Sequence, residues 1–326
     1  YSAGLRRTHH AHRQAVLVHS PEELLKGLKE LETIDLSTQS KPSKRKTNIA
    51  FVFSGQGPQW WAMGRELLAT EPVFRSVIKQ CDTLIQKYAN WSLLAEFNAS
   101  EAQSRLQETE VSQPALFALQ VGLAKLWQSW GINPKSVVGH SLGEVAAAHF
   151  AGILTLEEAI HLICQRGQLM QQATGNGKML AIELPVNEVE NLMAAWENKL
   201  EIAAINSPYS TVVSGESQSI DQLIAELSQN RPDIFSKELP VNYAFHSQQM
   251  TTFADKLVKK LGELQPQKST ISIFSTVTGD QQEGTLFNAA YWGQNMRQTV
   301  RFNPAIEAMI KSRHTIFVEI SPHPVL

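Results

Sequence analysis

Apolar residues in this chain fall into two rhythms. Short unbroken runs recur in IAFVFSGQG (49–57), KSVVG (135–139), ISIFSTVTG (271–279) and HTIFVEIS (314–321). A run of this kind bounded by glycine is the pattern of a strand buried on both faces, and such strands belong to parallel sheets. Between them lie helical patterns at 63–70, 72–87 and 113–130, the last stopped by Gly131. A small-residue helix follows KSVVG and ends at Gly152. Strands alternating with helices predict a mostly parallel α/β sheet.

The second rhythm occupies 177–244. GKMLAIEL reads as a strand, 186–197 as a helix, and EIAAINS and STVVSGE as two strands around a Ser-Pro-Tyr turn. Residues 217–229 are helical in pattern and DIFSKELPV is strand-like. The order βαββαβ is the ferredoxin-like plan. Apolar strands of the first kind resume after it, so a small subdomain at 177–244 is expected inside a large subdomain built from 48–176 and 245–326. Ahead of both, His12 to His19 reads as a strand, followed by a helix with Ser20 as its cap and Pro21 at its first position. The polar, basic stretch STQSKPSKRKTN (37–48) has the composition of a linker.

Composition narrows the class. Hydrophobic residues make up 43% and charged residues 18% of 326, as in an ordinary soluble enzyme with a sizeable core. A net charge of −2 gives no field to recruit nucleic acid or an anionic membrane. Cys81 and Cys164 cannot form a disulfide framework, so a reducing cytoplasm is the expected location. No apolar run approaches the roughly 20 residues of a membrane span, and no signal peptide opens the chain. The start without Met and the stop just after a strand and turn are read as marks of a piece of a longer polypeptide. His9, His10 and His12 lack a partner Cys/His pair at finger-like spacing, so a polar loop is favoured and no metal site is expected.

The candidate chemistry lies in PKSVVGHSLGEVAAAHFAG (134–152). Strand, G-x-S-x-G and helix in succession form a nucleophile elbow, the mark of an α/β-hydrolase-like fold. Gly139 and Gly143 remove Cβ atoms where strand and helix crowd, leaving Ser141 on a strained turn with Oγ exposed. Free N–H groups of the first helical turn, including that of Leu142, would face a developing oxyanion. The hydroxyl needs a base, and His246, at the exit of the inserted subdomain, is the leading candidate. His140 is expected to project to the other side of the turn, His149 and His161 read as polar helix positions, and His323 lies in a Pro-flanked turn. Arg166 sits on a helix opened by a Thr155/Glu158 capping box, about 70° from the centre of its apolar stripe. An arginine at that border either snorkels to water or, held near Ser141, grips a carboxylate bidentately.

These residues coincide with a known pattern. The chain resembles the acyltransferase domain of modular polyketide synthases, related to malonyl-CoA:acyl-carrier-protein transacylases. Six stretches carry the likeness in order: FVFSGQGPQW, GHSLGE, CQRGQLMQ, YAFHS, YWGQNMRQTVRF and SPHPVL. Arg166 and His246 follow Ser141 at the family's spacing of 25 and 105 positions. The resemblance implies Ser141 as nucleophile and His246 as general base, then acid. Backbone N–H groups of Gln56 and Leu142 would form the oxyanion hole, Arg166 would bind the malonyl carboxylate, and the carbonyl of Asn295 would orient the histidine. Gln113 and Asn206 would line the pocket. Residues 1–47 would be part of the linker from a ketosynthase. The implied substrates are malonyl-CoA and a phosphopantetheinylated acyl carrier protein, with no bound cofactor and no metal. The implied partners are the carrier domain and the adjacent ketosynthase.

Extender choice turns on Tyr243-Ala244-Phe245-His246, a hybrid of the family's malonyl-type HAFH and methylmalonyl-type YASH. Phe245 is expected to crowd the site of an α-methyl branch, which favours malonyl over methylmalonyl. A serine hydrolase or thioesterase is the main rival, and it requires an acidic third member between Ser141 and His246. Asp221 and Asp233 are the aspartates in that interval, and both fall in the inserted subdomain. A non-catalytic carrier-binding module would be favoured if Ser141 or His246 were missing, and both are present.

Overall fold

A computed structural model describes residues 15–32, 47–175 and 177–326. Residues up to Thr47 group apart from those beginning at Asn48. In the first group, Pro21–Glu32 is a helix, and the Ser20 hydroxyl accepts from the Glu23 N–H at 3.1 Å, as the sequence predicts. The strand expected before it does not form over residues 15–18, and the earlier part of that expectation, with His9, His10 and His12, lies outside the described residues.

Among the described residues from Asn48 onward the strands are β1 (Ile49–Phe53), β2 (Ser136–Gly139), β3 (Lys178–Ile182), β4 (Leu200–Ser207), β5 (Ser210–Gly215), β6 (Ser236–Glu238), β7 (Ser272–Ser275), β8 (Asp280–Gln282) and β9 (Ile316–Ile320). They form two sheets. The larger has the order β8-β7-β2-β1-β9, with β7, β2, β1 and β9 parallel and β8 folded back antiparallel on β7. Its central strands are the unbroken apolar runs, buried from Ala50 to Phe53 and from Ser136 to Gly139. Helices Thr109–Ser129, Gly143–Phe150 and Leu156–Gln171 enclose a single core with these strands. Each large side chain buried there is worth about 2 kcal/mol relative to exposure. Among the described residues no helix is long and apolar enough to cross a membrane.

The smaller sheet is antiparallel, in the order β4-β5-β3-β6, the ferredoxin-like arrangement. Alternation along β3 gives it two faces. Leu180 and Ile182 pack with helices Val186–Met193 and Ser217–Asn230 in a core of their own, whereas Met179 and Ala181 face the large subdomain. Three details differ from expectation. The last strand shrinks to Ser236–Glu238, in register with Leu180–Ile182 of β3. The hairpin strand β8 and the short helix Leu93–Asn98 carry too little apolar periodicity to be read from sequence.

Register brings the functional loops together. Phe53 of β1 stands opposite Gly139 of β2, so the loops beginning at Ser54 and His140 leave the sheet side by side. Both are at the carboxyl ends of parallel strands, where open α/β sheets bind ligands.

Candidate active site

The elbow forms because nothing larger than hydrogen fits at its glycines. A Cβ on Gly139 would lie 2.1 Å from the Glu144 nitrogen, and one on Gly143 would lie 2.3 Å from the Phe53 carbonyl oxygen. Between them Ser141 takes φ 52°, a left-handed conformation that non-glycine residues adopt at a cost of order 1–3 kcal/mol. His246 is held the same way, at φ 59°.

Ser141 Oγ donates to His246 Nε2 at 2.8 Å, and His246 Nδ1 donates to the backbone carbonyl of Gln298 at 2.9 Å. This pair of bonds fixes the tautomer with Nε2 free to take a proton. Burial, then the nearby Arg166 charge, push the His246 imidazole down to about 3, so it rests as the neutral base. Arg166 Nη2 donates to the same Ser141 Oγ at 2.9 Å and its Nη1 donates to Gln113 Oε1 at 2.7 Å. The guanidinium is 1% exposed, its Nε has no partner, and no carboxylate among the described residues forms an ion pair with it. Burial lowers it only to about 10, so the charge persists at neutral pH. The buried Glu144 carboxyl acts on it only from a distance, so a buried cation with no directly paired anion is expensive unless one arrives from outside.

Gln56, His140, Ser141, Asn206, Tyr243, Phe245 and His246 line one cavity of about 320 Å³ at the junction of the two sheets. Tyr243 and Phe245 stack at 3.6 Å between ring centres, and the Tyr243 hydroxyl accepts from Gln56 Nε2 at 3.2 Å. Leu142 is the N-cap of helix Gly143–Phe150, where N–H groups lack intrahelical partners. A larger groove of about 730 Å³, lined by residues including Pro72, Val121 and Lys125, contains none of these groups.

Three sequence readings need correction. The carbonyl that orients His246 belongs to Gln298, not Asn295. Asn295 lies within helix Ala289–Arg297, whereas Gln298 caps it in an extended conformation that swings its carbonyl outward. Asn295 instead donates through Nδ2 to the Ser141 carbonyl at 3.2 Å and to Glu144 at 2.6 Å. Gln113 does not line the cavity; it is buried behind Arg166 and donates onward to Gln56 Oε1 at 3.1 Å. His140 does not turn away from the cavity. It lines the wall and donates from Nε2 to Asn206 Oδ1 at 2.9 Å. Neither aspartate that a hydrolase triad would use faces the site: Asp221 pairs with Lys178 and Asp233 lies beside Arg231.

A family model described as Acyl transferase domain matches residues 50–326. This chain belongs to that family. The acyltransferase is 37% identical over 98% of its length to an erythronolide synthase of Saccharopolyspora erythraea, of which it spans 9%. It superposes on the acyltransferase domain from module 8 of the salinomycin polyketide synthase with a TM-score of 0.89 at 34% identity, covering 99% of this chain and 77% of that one. A malonyl CoA-acyl carrier protein transacylase from Clostridium perfringens gives a TM-score of 0.77 at 26% identity, covering 85% of this chain and 87% of that one. The acyltransferase is thus of the polyketide synthase type, and its likeness extends over both subdomains.

Proposed function

We propose that this acyltransferase loads a malonyl extender unit onto Ser141 and passes it to the phosphopantetheine thiol of an acyl carrier protein. The observation that carries the reading is the buried Arg166 guanidinium, with no carboxylate in direct ion pair, donating to the Oγ that His246 activates. A malonyl carboxylate would supply the missing anion, and its thioester carbon would then lie beside Oγ. His246 Nε2 takes the Ser141 proton as Oγ attacks that carbon. Backbone N–H groups of Gln56 and Leu142 receive the oxyanion. The C–S bond breaks, the imidazolium returns the proton to the CoA sulfur, and an ester remains. In the second half, His246 deprotonates the carrier thiol, sulfur attacks the ester, and Ser141 leaves with the proton. A carrier domain and a neighbouring ketosynthase of a longer synthase are the partners this reading implies.

The Tyr243–Phe245 stack supports malonyl over methylmalonyl. It places two buried, stacked aromatic rings in the cavity wall that His246 also lines, where an α-methyl group would have to be accommodated. One methyl group is worth only about 1–3 kcal/mol in discrimination.

Intact-protein mass spectrometry after brief exposure to malonyl-, methylmalonyl- and acetyl-CoA in competition tests the reading. The expected outcome is a malonyl adduct that Ser141→Ala abolishes. A dominant methylmalonyl adduct would overturn the extender assignment, and steady CoA release with no adduct would mean hydrolysis.

A further inference from the structure

Glu144 has no task in this reaction, yet it is completely buried one turn below Ser141. Three groups donate to its carboxylate. Oε1 accepts from the backbone N–H of Thr276, and Oε2 accepts from the Tyr291 hydroxyl at 3.0 Å and from Asn295 Nδ2 at 2.6 Å. Ser275 Oγ, which accepts from the N–H groups of Val277 and Thr278, has its hydrogen left for the Tyr291 oxygen at 2.6 Å. Tyr291 in turn has its own hydrogen left for Glu144. Such surroundings select a carboxylate, because a glutamine would set an NH2 against one of these donors.

The carboxylate reaches both halves of the reacting pair. Through Asn295 it is one hydrogen bond from the carbonyl of Ser141. Tyr291 and Asn295 lie four residues apart on one face of helix Ala289–Arg297, whose capping residue Gln298 presents its carbonyl to His246 Nδ1. We infer that Glu144 is a positioning residue: it clamps the elbow to the Ala289–Arg297 helix and so sets the alignment of Ser141 Oγ with His246 Nε2. This rests on Ser141 being the acylated nucleophile.

The test compares wild type, Glu144→Gln, Asn295→Ala and the double variant. Two rates are read, acylation by malonyl-CoA and labelling of Ser141 by a fluorophosphonate, which reports serine reactivity whatever the acyl donor. Glu144→Gln should lower the acylation rate constant by about ten- to a hundred-fold, the loss expected when a reacting pair is misaligned, with KM unchanged within about two-fold. Fluorophosphonate labelling should slow in parallel. Asn295→Ala should reproduce the loss, and the double variant should be no slower than the slower single one. If Glu144→Gln fails to fold, as judged by its melting transition, Asn295→Ala carries the test alone. Wild-type rates in a folded Glu144→Gln or in Asn295→Ala, a change confined to KM, or losses that multiply in the double variant would each overturn the inference. An unlabelled wild-type Ser141 would overturn the nucleophile reading, and this inference with it.

Discussion

Arg166 contributes one hydrogen bond to Ser141 and one to Gln113, and its remaining hydrogen-bonding capacity is directed at nothing in the protein. Arg166→Ala should therefore cost malonyl loading about 30-fold or more, the loss typical of a buried charge partner. Loading of acetyl, which has no carboxylate, should change only a few-fold. Initial rates of adduct formation decide it, and an equal fall for both would make Arg166 a packing residue. His246 makes a second prediction. Its imidazole is held near 3 in the free protein, below the ordinary 6.5, so it stays unprotonated as pH falls through the usual histidine range. The acid limb of kcat/KM for acylation should accordingly lie well below 6.5. A limb at the ordinary value would mean that the imidazole is solvated.

Helix Gly143–Phe150 starts where it does because β1 leaves no room for a side chain at its first residue. Gly143→Ala would put a methyl carbon 2.3 Å from the Phe53 oxygen and 2.6 Å from that of Ser54. The helix would be levered off the strand at a cost of about 3 kcal/mol, visible as a lower urea midpoint. An unchanged midpoint would show that the junction yields. Such junctions are legible in sequence because sterics act on adjacent residues. The same is true of the Thr155/Glu158 capping box, present as expected from Thr155, Glu158 and their spacing. The hairpin strand β8 was not legible, since Asp280, Gln281 and Gln282 carry no apolar signal and pair only because β7 lies alongside. Helix Thr109–Ser129 begins four residues before the predicted 113 and runs through Pro114 in its early turns.

Ser141, Arg166 and His246 could be named from spacing and resemblance because the role proposed for each belongs to its side chain, and a side-chain role leaves a residue type behind. Gln298 acts through a backbone carbonyl, which any residue supplies. Its identification depends on where helix Ala289–Arg297 ends, a property of the folded molecule. The surroundings of Glu144 are illegible in sequence for a related reason, since its partners come from the far end of the chain. Its burial has a consequence for stability. The carboxyl is pushed up to about 7 from the ordinary 4.5, chiefly by burial and against the hydrogen bonds that lower it. The folded chain then binds more protons than the unfolded one between those values, so this group's contribution weakens as pH rises through them. His246, held down near 3, has the opposite slope up to its ordinary 6.5. The two oppose each other in mildly acidic solution, where His140, His149 and His161, all lowered chiefly by burial, add to the slope of His246. Glu144→Gln removes the descending contribution, so the melting temperature of the variant relative to wild type should rise as pH goes from about 4.5 to about 7.

The edge of β4 is bonded to the segment that follows the His246-orienting carbonyl. Ile205 donates to Val300, Val300 donates to Ala203, and the Thr299 hydroxyl donates to Ile202. Glu201 adds an ion pair with Arg297, one residue before Gln298, and accepts from the Gln248 N–H, two residues beyond His246. The turn that carries His246 and the carbonyl it meets are thus both tied to the second sheet. For anyone building hybrid synthases, this moves the natural seam. A graft cut at the ends of 178–238 separates β4 from the segment that steadies the histidine, whereas one that carries 297–300 along transplants the brace intact.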